Sequence, residues 1–164
     1  METKMMSKHK NTSTAGPSQL DDHLGFWLRL VSNQVSARFQ SLVYERAGCS
    51  VSEWVLLRVL YEQSATGHNE LIKTLGMTKG AISKVISRLE VRGLVKRQLA
   101  AERNREQLIL LTAAGKKLVP QLAALADEND AHFFALLSAD ESIALSSALK
   151  KIAALHHLTA PPLE

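Results

Sequence analysis

Thr78, Lys79, Gly80, Ser83, Lys84 and Ser87 stand close together in the chain, and Lys96, Arg97, Arg103, Asn104 and Arg105 follow shortly after. They are hydroxyl, ammonium, guanidinium and amide groups with one glycine among them, and they include no nucleophile paired with a base. Such groups donate hydrogen bonds and positive charge; they do not make or break bonds. The chemistry they suit is recognition of a polyanion. A formal net charge of +4 over 164 residues agrees with that kind of partner, because net charge acts on association and not on fold.

Other chemistry finds little support in the residue pattern. There is no glycine-rich phosphate loop, no nucleophile elbow and no HExxH pair. His156 and His157, adjacent on a helix, point about 100° apart and do not converge on one metal. Glu128 and His132 are spaced i, i+4 but lack a third ligand, so a solvated helix face is expected there. Cys49 is the single cysteine, which excludes an internal disulfide or a multi-cysteine zinc site. Only Arg46 lies near it as a base, and an unreactive small residue is expected. The expectation is a protein that is not an enzyme and carries no cofactor or metal.

The elements that must position the basic cluster follow from apolar spacing. In "DDHLGFWLRLVSNQVSARFQSLVYERAG", Leu24, Trp27, Leu28, Val31, Val35, Phe39 and Leu42 mark one face of a helix that stops at Gly48. "SVSEWVLLRVLYE" is a second helix, with Ser50 or Ser52 as N-cap and Glu53 completing a capping box if Ser50 is the cap. Asn69 caps the short helix "ELIKTL", which Gly76 ends. Thr78 caps the next helix, whose Ile82, Val85, Ile86 and Leu89 are buried while Lys79, Gly80, Ser83, Lys84 and Ser87 point the other way. Two short helices around a glycine turn form a helix-turn-helix signature.

Gly93 closes that helix. "LVKRQL" and "QLILL" then read as two strands joined by "AAERNRE", a connection without a tight-turn pair and therefore a longer loop with Arg103 and Arg105 at its tip, as in a DNA-binding wing. Thr112 caps a long helix with Leu118, Leu122, Leu125 and Ala126 inward and a bend expected at Pro120. Ser138 and Glu141 form a capping box for a last helix lined by Leu145, Leu149, Ile152 and Leu155.

The predicted fold class is mainly α with a small β-hairpin wing, a winged helix-turn-helix flanked by N- and C-terminal dimerisation helices. The expected organisation is a disordered basic arm over residues 1–19 and an N-terminal dimerisation helix over 20–48. A DNA-binding module over 49–112, C-terminal dimerisation helices over 113–158 and a tail over 159–164 complete it. No apolar run approaches the roughly 20 residues of a membrane helix, and "METKMMSKHKNTSTAGPS" has no apolar secretion core. A cytoplasmic location is expected.

The major groove of B-DNA admits one helix, whose first turns reach base edges. Lys79, Ser83 and Lys84 fall on that face, Thr78 and the free amides of the helix start can meet a phosphate, and Gly80 lets backbone approach the duplex. Arg103 or Arg105 would enter the adjacent minor groove, with Lys96 and Arg97 nearer the phosphates. The competing reading is a winged helix that binds only protein. For a small-molecule effector, Trp27, Trp54 and Arg58 are the candidates, offering aromatic faces and a cation to an anion; the plain alternative makes both tryptophans core.

Three segments, "VSEWVLLRVL", "NELIKTLGMTKGAISKVISRLEVRGLVKR" and "LILLTAAGKKL", resemble the MarR family of bacterial winged-helix transcriptional regulators. Leu71, Leu75, Gly76, Leu89, Gly93, Leu94 and Val95 sit where the family pattern puts them, and the resemblance runs from about Leu24 to Leu158. It implies a triangular homodimer on a pseudo-palindromic duplex operator, acting as a repressor and released by a small aromatic or phenolic anion or by an oxidant. The chain departs from the pattern at the wing, where Arg103 replaces the usual acid two places before the arginine, leaving Glu102 to substitute. It also carries Gly25 where the peroxide-sensing branch has its cysteine.

Overall fold

The computed structural model describes residues 16–99 and 107–161, so most of the expected N-terminal arm, residues 1–15, lies outside the described residues. The chain divides into two compact units, one ending at Asn33 and one beginning at Gln34. In the first, a turn of 3-10 helix spans Leu20–Asp22, with Gln19 N donating to the Asp22 carboxylate at 2.9 Å. Helix α1, Leu24–Ala47, follows and continues into the second unit. Its early residues Leu24, Leu28, Leu30 and Val31 are exposed, and Trp27, 49% exposed, donates its indole N–H to Asp21 O at 2.8 Å.

In the second unit the elements are the end of α1, α2 (Val51–Gln63), β1 (Ala65–Gly67), α3 (His68–Leu75), α4 (Lys79–Val91), β2 (Val95–Leu99), β3 (Gln107–Leu111), α5 (Ala113–Phe134) and α6 (Ala139–Leu155). Ser50 is the N-cap of α2 and forms the capping box with Glu53. Gly76 takes the left-handed conformation at φ 64° that ends α3 and opens the turn into α4. Thr78 caps α4 by accepting from Ala81 N at 3.3 Å.

The core is shared by Leu56, Leu57 and Leu60 of α2, Leu71 and Leu75 of α3, Ile82, Val85, Ile86 and Leu89 of α4, Ile109 of β3, and Val119 and Leu122 of α5. Each such side chain withdrawn from water contributes on the order of 1.5–3 kcal/mol. This burial fixes the rotation of α4, and its polar face turns outward as a result.

The strands form a three-stranded antiparallel sheet in the order β1-β3-β2, with Val95 opposite Leu111 and Ala65 opposite Leu110. A hairpin reading of the sequence omits β1, because three residues carry no alternation and the strand exists only through its pairing with β3. That pairing also corrects the start of α3. The chain leaves β1 directly into the helix, so the N-cap is Gly67, without a side-chain bond, and Asn69 lies inside the helix.

Thr112 docks α5 onto the turn after α4: its hydroxyl donates to Gly93 O at 2.6 Å and accepts from Gly115 N at 3.1 Å. A Cβ at Gly115 would run into the Leu94 carbonyl oxygen, so the approach requires glycine. Helix α5 continues through Pro120, whose ring removes one hydrogen bond without ending the helix. Helix α6 starts at the predicted Ser138–Glu141 box and has no buried residue. It ends at Leu155, so His156 is its C-cap and His157 sits beyond it at φ 53°; the two are not adjacent on a helix as expected.

Candidate nucleic-acid interface

The first turn and a half of α4 forms an open surface. Thr78, Lys79, Gly80 and Lys84 are exposed, and nothing lies within 4 Å of where a Gly80 Cβ would stand. Ser83 is half-buried, and His68, the first residue of α3, places Nε2 3.1 Å from its hydroxyl. Burial, then the charge of Lys79, then that of Arg97 hold the His68 imidazole below its ordinary pKa. His68 is not among the sequence candidates, since its link to Ser83 exists only once α3 and α4 pack.

Strand β2 packs near this helix and carries Lys96 and Arg97. Lys96 is exposed. The Arg97 guanidinium is anchored instead: Nε pairs with Glu90 at 3.0 Å, Nη2 donates to Ser87 Oγ at 3.2 Å, and Nη1 donates to Gln107 Oε1 at 3.3 Å. Arg97 and Ser87 are thus bound to each other and to α4, which ties the base of the hairpin to the helix. Arg103, Asn104 and Arg105, with Glu102, lie outside the described residues.

The far half of α4 is held by a buried carboxylate. Glu53, 4% exposed, accepts from Ser50 N at 3.0 Å and from Arg88 Nε at 2.8 Å, and pairs with Arg92 Nη1 at 3.4 Å. Arg92 also donates to Ala47 O at 2.8 Å and Gly48 O at 2.9 Å, closing the α1–α2 junction. A carboxylate so removed from water needs such partners. Spacing along the chain predicts the capping role of Glu53 but not its ion pairs. Cys49 is fully buried with Arg92, not Arg46, beside its sulfur at 3.3 Å. Arg46 pairs with Glu128 at 3.2 Å and Arg38 does so at 3.4 Å, which commits that carboxylate to two arginines. Among the described residues no group of three or more candidate metal ligands converges.

Within the second unit, a cleft of about 490 Å³ opens between the end of α1, α2 and α5, walled by Val35, Phe39, Trp54, Val55 and Ala126 with the Ser50 and Ser52 hydroxyls and Asp130 at its edges. Trp54 lines it as a half-buried residue packed against the core. Arg58 does not line it. Its guanidinium pairs with Glu62 at 2.9 Å and lies over the Tyr61 ring at 6.0 Å. Trp27 belongs to the first unit, where its exposure departs from a core role.

An exposed helix start capped by Thr78, cations on α4 and β2, and a hairpin tied to the helix form the winged arrangement. Residues 49–106 match the model of the MarR family. The winged module is thus similar to the MarR family. The chain is 27% identical over 125 residues to the transcriptional regulator HosA of Escherichia coli O127:H6, covering 76% of this chain and 90% of HosA. The structure of Bordetella bronchiseptica BpsR, solved in a study of how 6-hydroxynicotinic acid regulates its DNA binding, matches with a TM-score of 0.71 at 25% identity, covering 84% of this chain and 98% of BpsR. A mutant of E. coli MarR complexed with operator DNA shares the fold, with a TM-score of 0.69 at 23% identity over 82% of this chain and 99% of that one.

Proposed function

We propose that this chain is a MarR-family regulator, a sequence-specific double-stranded DNA-binding protein that lays the first turns of α4 in the major groove. The observation that carries the reading is the exposed, unobstructed start of α4, with Thr78, Lys79, Gly80 and Lys84 open to solvent. Thr78 and the free amides of the first turn meet a phosphate, Lys79, Ser83 and Lys84 address base edges, and Arg103, Asn104 and Arg105 extend the contact into the minor groove. Arg97 and Ser87 act by fixing the hairpin against α4. The protein is a regulator and not an enzyme, working in the cytoplasm; among the described residues no helix is long and apolar enough to cross a membrane.

The reading includes a homodimer on a pseudo-palindromic operator. Ile143, Leu145, Leu149 and Ile152 of α6 are 40–67% exposed, and Leu24, Leu28 and Val31 of the first unit are exposed as well; a second copy covering both sets would keep them from water. Residues 20–48 and 113–158 then serve assembly and 49–112 serves reading. The protein represses, and a small aromatic molecule in the Trp54 cleft releases it. Among the described residues the wall there contains Asp130 and no cation, which favours an uncharged phenol or similar ring over an anion.

Selection of binding sites from a random duplex pool at low and moderate salt tests the reading. The expected result is an inverted repeat with half-sites about one helical turn apart, bound with a log–log salt slope of about −0.9 per phosphate neutralised. No enriched sequence and no salt dependence would instead make the winged helix a protein-interaction module.

A further inference from the structure

His68 is the one histidine within hydrogen-bond distance of α4's outward face among the described residues, and it comes from a different helix. Its Nε2 points at Ser83 Oγ. On α4, Lys79 lies one turn before Ser83 and Ser87 one turn after; Ser87 carries the Arg97 guanidinium. The positive charges of Lys79, from α4, and Arg97, from β2, both act on this ring. Of the acids nearby, Glu90 is already paired with Arg97.

A serine hydroxyl has one proton and two lone pairs. When Nε2 accepts, that proton is committed to the ring and Ser83 can offer only lone pairs outward. The matching base group is then an amino donor, adenine N6 or cytosine N4. When Nε2 carries a proton it donates to Oγ, and the Ser83 proton is free for an acceptor such as guanine O6 or N7 or thymine O4. We propose that His68 is a specificity-determining residue of the DNA-reading surface, acting through its 3.1 Å bond to set whether Ser83 presents an acceptor or a donor to the base it meets. The proposal rests on the reading that α4 enters the major groove. His68 itself is a positioning residue that need not touch DNA.

The positive charges of Lys79 and Arg97 favour a ring lone pair over an N–H dipole at this nitrogen, so at neutral pH the ring accepts. Burial and the same two charges hold the imidazole pKa below its ordinary value. In acid the imidazolium must donate, and Ser83 must turn its proton outward. Base preference at one position of each half-site therefore changes with pH while the other positions do not.

Binding-site selection with the full chain at pH 8 and at pH 5, at fixed salt, followed by affinities on single-base variants of the selected site, reads this out. The expected result is that one position favours an amino-bearing base at pH 8 and loses that preference by roughly tenfold at pH 5, the scale of one hydrogen bond. His68→Ala should abolish the pH dependence at that position alone, and Ser83→Ala should abolish the preference at both pH values. Lys84→Ala should weaken binding and keep the pH-dependent position. An unchanged base preference in the wild type between the two pH values overturns the proposal, as does an equal shift in His68→Ala. Absence of any enriched sequence overturns the DNA-reading function as well, so the two failures are distinct.

Discussion

Helices α4 and α6 carry their apolar residues at the same kind of spacing and meet different fates. In α4, Ile82, Val85, Ile86 and Leu89 are all at most 3% exposed; in α6, Leu145, Leu149, Ile152 and Leu155 are 40–68% exposed. Periodicity establishes that a helix has an apolar face. It does not say whether the same chain covers it. The winged module closes on itself, whereas α6 leaves its apolar face exposed.

One charge placed in each helix tests the contrast most severely. Ile86→Asp buries an unpaired carboxylate and should remove more than about 4 kcal/mol, enough to unfold the module. Leu149→Asp should leave the far-ultraviolet circular dichroism spectrum of a folded helical protein and raise the dimer dissociation constant by at least about tenfold in sedimentation experiments. Equal loss of helix signal in both variants would mean that α6 is covered within the chain.

Within the closed module, contacts at backbone level should rank next. Gly115→Ala drives a Cβ into the Leu94 carbonyl and should cost about 3 kcal/mol in denaturant unfolding. Glu53→Ala should cost less, about 2 kcal/mol, because its partners Arg88 and Arg92 keep 53% and 33% side-chain exposure and can turn to water. A larger loss for Glu53→Ala than for Gly115→Ala would show that ion pairing, not backbone docking, holds α4 in place.

What the sequence made legible divides along the same line. Caps and apolar faces are local signals, and Ser50, Thr78, Thr112 and Ser138 all cap as their positions indicate. Features made by packing were not legible. Strand β1 exists only by pairing, His68 meets Ser83 from fifteen residues away, and Arg92 reaches Glu53 from thirty-nine. Residue type alone points Arg58 at the cleft, and its i, i+4 acid Glu62 explains where it goes instead. The wing arginines fall outside the described residues, so their part in the site stays a proposal from sequence.

Smaller effects test the open faces. Lys84→Ala removes a charge on an exposed side chain, so thermal stability should change little. DNA affinity should fall a few-fold, and if Lys84 neutralises a phosphate the salt slope should decrease by about 0.9. An unchanged slope with reduced affinity would place Lys84 on a base edge instead.

The smallest effect concerns how α6 begins. The Glu141 carboxylate accepts from Ser138 N at 2.8 Å and from Ser138 Oγ at 3.0 Å. The backbone bond first, and the hydroxyl second, lower its pKa from the ordinary 4.5, with desolvation opposing. A carboxylate whose folded pKa is depressed stabilises the fold above its unfolded value, and the contribution disappears as pH falls through the folded pKa. The stability difference between wild type and Glu141→Ala should therefore be constant near neutrality and close as the pH drops below 4.5. Thermal unfolding of both proteins across that range measures it. A gap that persists unchanged into strong acid would mean that the start of α6 is held by its neighbours in the assembly and not by its own cap.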